Sequence, residues 1–426
     1  MTATNNSLLN VLPNDDILSQ CIHCGMCLAV CPTYELTKLE RSSPRGRIKL
    51  IKSVAEGTIS LSNIFADEMN FCLDCQACET ACPAGVNYGV MVEAARAEID
   101  NSSHGSFITK FIKKFILKYI VANPQSLKAA SKLLYFYQRS FFPKLLKKIL
   151  PGKLAELDSL SPRVSKKFSD SIIEEITEPV GEKKMSTAFL YGCVMNVMFS
   201  DVNKDTVELL TKNGCRVITP KDQFCCGSLH THNGDPETAK ELAKKNLKAF
   251  SKHNYEYLAS NSAGCGAFMK EYKYIFKDDE ELKDIAENFS NKVKDLSEFF
   301  SDIIPIKPED KHERVTYHDA CHLVHSQKVF EQPRKIINSL HGIEYVELNE
   351  ASWCCGSAGI YNITRFDDSM KILDRKIKNI KETGTEKVVT SNPGCIIQLE
   401  YGLKKNKLNV KVEHLASFLN REKRKI

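Results

Sequence analysis

No apolar run in this 426-residue sequence reaches the ~18–20 residues a membrane-spanning helix needs, so an integral membrane protein is not expected. The opening residues, MTATNNSLLNVLPNDD, have neither the basic start nor the apolar core of a secretory leader, and the expected compartment is the cytoplasm. No G-x-G-x-x-G follows a strand-like run, and no Walker-type phosphate loop occurs. Ser/His/Asp and H-E-x-x-H arrangements are missing as well. Nothing recognisable therefore binds a nucleotide, a flavin or an organic substrate.

Acidic residues are missing from one segment. Between Ser106 and Leu150 stand ten basic residues (Lys110, Lys113, Lys114, Lys118, Lys128, Lys132, Arg139, Lys144, Lys147 and Lys148) and no carboxylate. The formal net charge is +6, so outside that segment the chain is net acidic, which argues against a general nucleic-acid-binding surface. In Phe107–Ile120 the apolar side chains fall on one helical face and Lys110, Lys113, Lys114 and Lys118 on the other. Packing of the apolar face on a neighbouring domain, with the lysines in water, is the expected arrangement. Peripheral contact with the inner face of the cell membrane is the alternative.

What the chain has in excess is cysteine, 17 in all. The odd number fits a disulfide framework poorly, and without a leader it points to metal binding or redox chemistry. The run Cys21-Ile-His-Cys24-Gly-Met-Cys27-Leu-Ala-Val-Cys31-Pro32 has the spacing C-x2-C-x2-C-x3-C-P, and Cys72-Leu-Asp-Cys75-Gln-Ala-Cys78-Glu-Thr-Ala-Cys82-Pro83 repeats it. Three thiolates so spaced hold three corners of a [4Fe–4S] cubane, and the fourth reaches the other cluster. One cluster is therefore assigned to Cys21, Cys24, Cys27 and Cys82, the other to Cys72, Cys75, Cys78 and Cys31. Structural zinc explains neither the third evenly spaced cysteine nor the duplicated Cys-Pro. About forty residues, helical around Arg47–Ala55, separate the motifs and point to an α-helical ferredoxin domain.

Beyond Lys184 one pattern occurs twice: Cys193, Cys225-Cys226-Gly227 and Cys265, then Cys321, Cys354-Cys355-Gly356 and Cys395, with offsets of 128, 129 and 130 residues. Strand-like runs lead into the single cysteines, and helical stretches such as Pro236–His253 and Asp367–Thr383 lie between them. This predicts two α/β domains of one fold with parallel sheets and cysteines at the strand ends. The expected architecture is an α-helical ferredoxin domain with two clusters (1–100), a basic helical connector and linker (106–184), and a duplicated α/β cysteine-rich (CCG) domain (185–305 and 311–426). The spacing leaves open whether the CCG thiols hold further iron–sulfur clusters, zinc or a bare redox dithiol. His322, flanked by His318 and His325, is a candidate for ligating or hydrogen-bonding such a centre. Cys215, alone in an apolar run, reads as core.

The CCG repeats resemble the cysteine-rich domains of heterodisulfide reductase subunits. The whole chain resembles the iron–sulfur subunit of bacterial glycolate oxidase, through CIHCGMCLAVCPTYEL, SPRGRIKLIK, CLDCQACETACPAGVNYG, NSAGCGAFMKEY, YHDACHL and CCGSAGIYN. One departure is visible: the heterodisulfide reductase motif ends C-x2-C, whereas Phe268 and Gln398 stand at those final positions here. The resemblance implies an electron-transfer subunit of a flavin-linked glycolate or D-lactate dehydrogenase. Its partners would be an FAD-containing subunit, which does the two-electron chemistry, and an acceptor such as a quinone. Two further readings are a heterodisulfide-reductase-like catalyst and the iron–sulfur subunit of anaerobic glycerol-3-phosphate dehydrogenase.

Overall fold

The computed structural model describes residues 15–143, 145, 152–303 and 313–420. The first fourteen residues, Lys144, Lys147 and Lys148 of the basic segment, the expected repeat boundaries at 305 and 311, and the last six residues lie outside that set.

Residues 15–101 fold without strands, as α1 (Asp15–Leu18), α2 (Pro32–Thr37), α3 (Pro44–Ala55), α4 (Asn63–Phe71), α5 (Ala77–Thr80) and α6 (Tyr88–Asn101). Pro44 at the first helical position and Ser43, whose Oγ accepts from Gly46 N at 3.0 Å, start α3. Only glycine fits at position 46, because a Cβ there would lie 1.9 Å from the Glu40 carbonyl oxygen. Ile48, Ile51, Phe65, Met69, Met91 and Val92 form the core of this region. Each contributes roughly 1.5–3 kcal/mol by leaving water.

The connector runs through α7 (Phe107–Phe115), a π-helical continuation over Ile116–Val121, and α8 (Pro124–Arg139), which Asn123 caps. Here the packing expectation is reversed. No residue of α7 is buried; Phe107 is 79% exposed and Phe111 62%. The inward face is basic instead: Lys110 Nζ donates to the carbonyls of Ser102 (2.9 Å) and Ile99, and Lys113 Nζ bonds Asn233 O (2.7 Å) and Asp100 (2.8 Å). The carbonyls at the C-terminal end of α6 attract these cations, which fixes the helix with its phenylalanines outward.

After α9 (Gly152–Leu160) and α10 (Ser169–Ile172), the expected linker supplies a strand, β1 (Ile176–Thr177). The first repeat then runs β2 (Met185–Phe189), α11 (Val194–Met198), α12 (Ser200–Lys212), β3 (Cys215–Ile218), α13 (Ser228–Thr231), α14 (Pro236–Phe250), β4 (Tyr257–Ser260), α15 (Ala263–Ile275), α16 (Lys283–Lys292), β5 (Val293–Asp295) and α17 (Leu296–Glu298). The second runs β6 (Glu313–Tyr317), α18 (Glu331–Asn338), β7 (Ile343–Tyr345), α19 (Tyr361–Thr364), α20 (Phe366–Thr383), β8 (Lys387–Thr390), α21 (Pro393–Lys405), β9 (Lys411–His414) and α22 (Leu415–Leu419).

The sheet orders are β1-β3-β2-β4-β5 and β7-β6-β8-β9, parallel throughout except for the antiparallel edge strand β1. Removing β1 leaves the same order in both sheets, so the duplication in sequence is a duplication in topology. Each repeat packs its last helix on the other: α22 packs on α12, and α17 packs on α18. One apolar core results, joining Phe189, Leu210 and Phe299 of the first repeat to Tyr317, Ile337 and Phe418 of the second.

Candidate metal centres

The two ferredoxin motifs are offset by 51 residues at every cysteine, and their loops share one backbone shape. His23 and Asp74, at equivalent positions, both have φ 54°, and Gly25 and Gln76 follow with φ 86° and 59°. Alternating left-handed residues turn successive N–H groups inward, making a cradle for an anionic cluster. Cys21, Cys24, Cys27 and Cys82 line one cavity of about 30 Å³ together with Cys78, Arg45 and Tyr88. Cys24 is exposed, whereas Cys31, Cys72 and Cys78 are buried.

Around the inner thiols the polar partners are specific. Asp74 N and the Tyr88 hydroxyl donate to Cys72 Sγ at 3.3 and 3.4 Å. Arg47, fully buried, donates to Thr33 Oγ1 (3.0 Å), which lies 3.3 Å from Cys31 Sγ, and to Glu68 O (2.9 Å). Burial alone would lower its pKa, but Tyr88, Cys72, Cys31 and Glu68 around it hold the guanidinium charged. Desolvation, followed by the neighbouring thiols, pushes Cys75 and Cys78 well above the usual thiol range. Thiolates so placed call for a compensating metal charge.

In each CCG repeat the four cysteines come together. Cys193 Sγ and Cys225 Sγ are 3.2 Å apart, and Cys226 neighbours Cys265. Cys321 likewise meets Cys354, and Cys355 meets Cys395. Hydrogen bonding from Cys225 and burial push Cys193 far up, and Cys354 with burial does the same to Cys321. Cys265 and Cys395 depart from the expectation: they stand in the first turns of α15 and α21, not at strand ends. The two turns face each other, with Ala263 N donating to Ser391 O at 3.1 Å and Asn392 Nδ2 to Cys395 Sγ at 3.5 Å.

Both CCG sets open onto a single cavity of about 560 Å³, whose wall also includes Cys72, Arg96, His232, His322, Tyr361 and Arg365. Cys75 belongs to the same apolar cluster as Cys321 and Cys354, with Phe71, Leu73 and Tyr361. The inner ferredoxin thiols therefore adjoin those of the second repeat.

The three flanking histidines divide. His322 Nδ1 lies 3.6 Å from Cys321 Sγ, and its ring leans on His232 with centroids 4.9 Å apart. His325 bonds Thr80 Oγ1 (3.0 Å) and the Ser352 carbonyl (3.4 Å), tying the repeat to the helical domain. His318 is buried beside Cys355 and Cys395. Cys215 is fully buried at the start of β3, away from the other cysteines.

Three family descriptions match. "4Fe-4S dicluster domain" covers residues 17–86, "Cysteine-rich domain" covers 187–270 and 315–400, and "Glycolate oxidase iron-sulfur subunit, linker region" covers 108–161. The chain is 37% identical over 419 residues to the probable glycolate oxidase iron-sulfur subunit of Bacillus subtilis, covering 94% of this chain and 93% of that one. The glycolate oxidase iron-sulfur subunit of Escherichia coli is 30% identical over 393 residues, 90% of each chain. The chain belongs to the glycolate oxidase iron–sulfur subunit family. Lactate utilization protein A of Oceanobacillus iheyensis is 33% identical over 238 residues, 55% of this chain and 97% of that protein. Members of this family carry iron–sulfur clusters of the 4Fe-4S type, and the thiol cradles described above fit them.

Sequence reasoning missed the polar groups that join the parts. His232 Nδ1 donates to Glu93 (2.5 Å) and Asp74 (3.2 Å), and Arg96 Nη1 sits 3.6 Å from Asp74 while donating to His232 O at 2.8 Å. Burial would lower the His232 pKa, but those carboxylates hold it well above its ordinary value. Gly234, with φ 83°, lets the first repeat close on α6, since a Cβ there would lie 2.6 Å from Arg96 O. His230 Nε2 donates to Leu117 O at 3.0 Å, fixing the connector over the first CCG set. No local motif announces these residues; only Asp74, between two cysteines, carried a hint.

Proposed function

We propose that the chain is the electron-transfer subunit of a flavin-linked 2-hydroxyacid dehydrogenase, acting on glycolate or D-lactate, and that it passes electrons from an FAD-containing partner to a quinone or another carrier. In this reading Cys21, Cys24, Cys27 and Cys82 hold one cubane and Cys72, Cys75, Cys78 and Cys31 the other. Cys193, Cys225, Cys226 and Cys265, with Cys321, Cys354, Cys355 and Cys395, hold the further iron–sulfur centres. Such clusters exchange single electrons, whereas hydroxyacid oxidation needs a two-electron cofactor on another chain.

The observation that carries this reading is the ordered placement of the thiols. They begin at the exposed Cys24, flanked by Ile22 (69% exposed) and Met26 (61%), and end at the Cys75, Cys321 and Cys354 cluster on the internal cavity. The exposed apolar loop suits a docking partner, and the buried end suits an electron sink. Domains at 1–100, 106–184, 185–305 and 311–426 belong to the same proposal.

The outward phenylalanines of α7, with Lys114 and Lys118 also exposed, favour peripheral attachment to the anionic inner face of the cell membrane. Among the described residues no helix is long and apolar enough to cross it.

The large cavity also suits an organic ligand, which keeps a heterodisulfide-reductase-like reading in play. Against it, Phe268 is packed edge-on against Tyr272, and Gln398 is bonded to Ser369 and Asn362, where that family has its fifth cysteines.

The test is anaerobic affinity purification from the native host, with dye-reduction assays on glycolate, D-lactate and glycerol 3-phosphate. A flavoprotein partner and activity on one of the 2-hydroxyacids support the proposal. Activity on glycerol 3-phosphate alone, or a lone flavin-free chain that reduces disulfides, overturns it.

A further inference from the structure

We infer that His318 gives an imidazole nitrogen to the iron–sulfur centre of the second CCG repeat, beside Cys355 and Cys395, and that the two CCG centres are consequently unequal. The inference rests on the reading that the CCG thiols hold iron.

A ring nitrogen of His318, Cys355 Sγ and Cys395 Sγ all lie within 4.8 Å of one another. The side chain is 1% exposed, and neither ring nitrogen makes a hydrogen bond of ordinary length and angle, the Ala351 backbone interacting with the ring more loosely. A buried polar atom left unpaired is destabilising, and a metal bond removes that cost for one of the two nitrogens. Imidazole is a suitable ligand for iron.

The ring is also held in place. His318 N donates to Val389 O at 2.9 Å, extending the β6–β8 ladder past Tyr317. The next residue, Asp319, takes both arms of Arg334 at 2.9 Å. Gln398 is engaged with Ser369 and Asn362, and His325 with Thr80 and Ser352, while His322 stands at the other thiol pair, 3.6 Å from Cys321 Sγ.

The duplication supplies the control. At the place of His318 the first repeat has Leu190, and at the place of Lys376 it has Asn246, since α14 and α20 correspond at an offset of 130. Lys376 is fully buried and donates to the Glu350 and Ala351 carbonyls close to the second CCG pair. The second centre thus gains an imidazole where the first has hydrocarbon, and a nearby cation where the first has a neutral amide. Imidazole in place of a thiolate and a nearby cation both favour the reduced state, so the second centre takes the higher reduction potential of the two.

Pulsed EPR on the full-length, anaerobically purified chain carrying 15N-histidine, poised across a potential series, tests this alongside a count of iron per chain. One centre is expected to show a directly bound nitrogen. His318→Leu should lose that coupling and lower the centre's midpoint potential. His318→Cys should lose the coupling and keep the iron, which holds the test open should the leucine variant fail to fold. A chain with full iron and no bound nitrogen at any potential overturns the inference, as does coupling that survives in His318→Cys. Joint replacement of Cys354 and Cys355 by serine separates the two levels. Unchanged iron in that variant defeats the cluster reading itself, whereas iron loss there, with no nitrogen coupling in the parent chain, defeats only the His318 ligation.

Discussion

Cys193 Sγ lies 3.2 Å from Cys225 Sγ, although 32 residues of chain separate them. The fold brings the thiols together by ending β2 just before Cys193 and turning the chain back at Gly227, which has φ 102°. Two thiols this close are poised to form a disulfide once an oxidant is admitted and no metal holds them. Removing iron with a chelator and admitting air should therefore link Cys193 to Cys225. Non-reducing peptide mapping should find that pair in the apo chain and both cysteines free after anaerobic, iron-replete preparation.

Crossed ligation by the two ferredoxin motifs makes a sharper prediction than cluster loss alone. Cys24→Ala and Cys82→Ala should abolish the same reduced-cubane EPR signal, although 58 residues separate the two positions. Cys31→Ala should abolish the other signal, despite belonging to the first motif. Each variant should lose about half of the ferredoxin-type spin. Loss of one shared signal from Cys24→Ala and Cys31→Ala would instead mean that each motif closes its own cluster.

Arg47 sits beside the inner thiols with no access to water. Replacing it with glutamine leaves the Glu68 carbonyl and Thr33 Oγ1 short of a donor and withdraws a positive charge from the Cys31 and Cys72 side. The stability loss should be about 1–3 kcal/mol for each group left unpaired. In the folded fraction the midpoint potential of the inner cluster should fall, because a nearby cation favours the reduced form. Urea unfolding and a redox titration measure the two effects separately.

The cluster motifs and the duplicated α/β layout were legible because spacing and periodicity are local signals. The helix over 366–383 shows this: two aspartates mark its start, and Gly384, at φ 61°, its end. The orientation of α7 was not legible. Its amphipathic pattern gave the two faces correctly, but which face turned inward depended on the carbonyls of Ile99 and Ser102 and on Asn233, 120 residues beyond Lys113. The placement of Cys265 and Cys395 on helices was missed for a related reason: a short Ser/Asn-rich turn after each strand already starts the next helix.

The inverted helix changes how the membrane reading is tested. Deleting Phe107–Ile120 would also remove the Lys110, Lys113 and Leu117 contacts to α6 and α13, so loss of the fold would say nothing about attachment. Replacing Phe107, Phe111 and Phe115 by serine leaves those contacts intact. The triple variant should keep its thermal midpoint and iron content within error. Its co-sedimentation with vesicles containing anionic lipid should fall several-fold, since each phenylalanine contributes up to ~1.5–3 kcal/mol when it enters an apolar layer. Equal vesicle binding by both proteins would remove the helix from the attachment surface.

His414, which is no candidate ligand, offers a pH dependence that can be isolated. It lies at the junction of the repeats, with Nε2 donating to Asn261 O at 2.7 Å and Nδ1 accepting from Ala416 N at 3.0 Å. Burial pushes its pKa down to about 4. The folded chain keeps this imidazole neutral, whereas the unfolded chain protonates it near its ordinary value of about 6.5. Below that value the unfolded state binds the extra proton, so this contribution is fully present above pH ~6.5 and declines as the pH falls towards 4. At pH 5 the loss is about 2 kcal/mol. His414→Gln should be less stable than the parent at pH 7, having lost the paired hydrogen bonds, but its stability should fall by about 2 kcal/mol less between pH 7 and pH 5. Urea unfolding of both proteins at the two values measures that difference, and parallel losses would show that His414 already carries a proton in the folded chain.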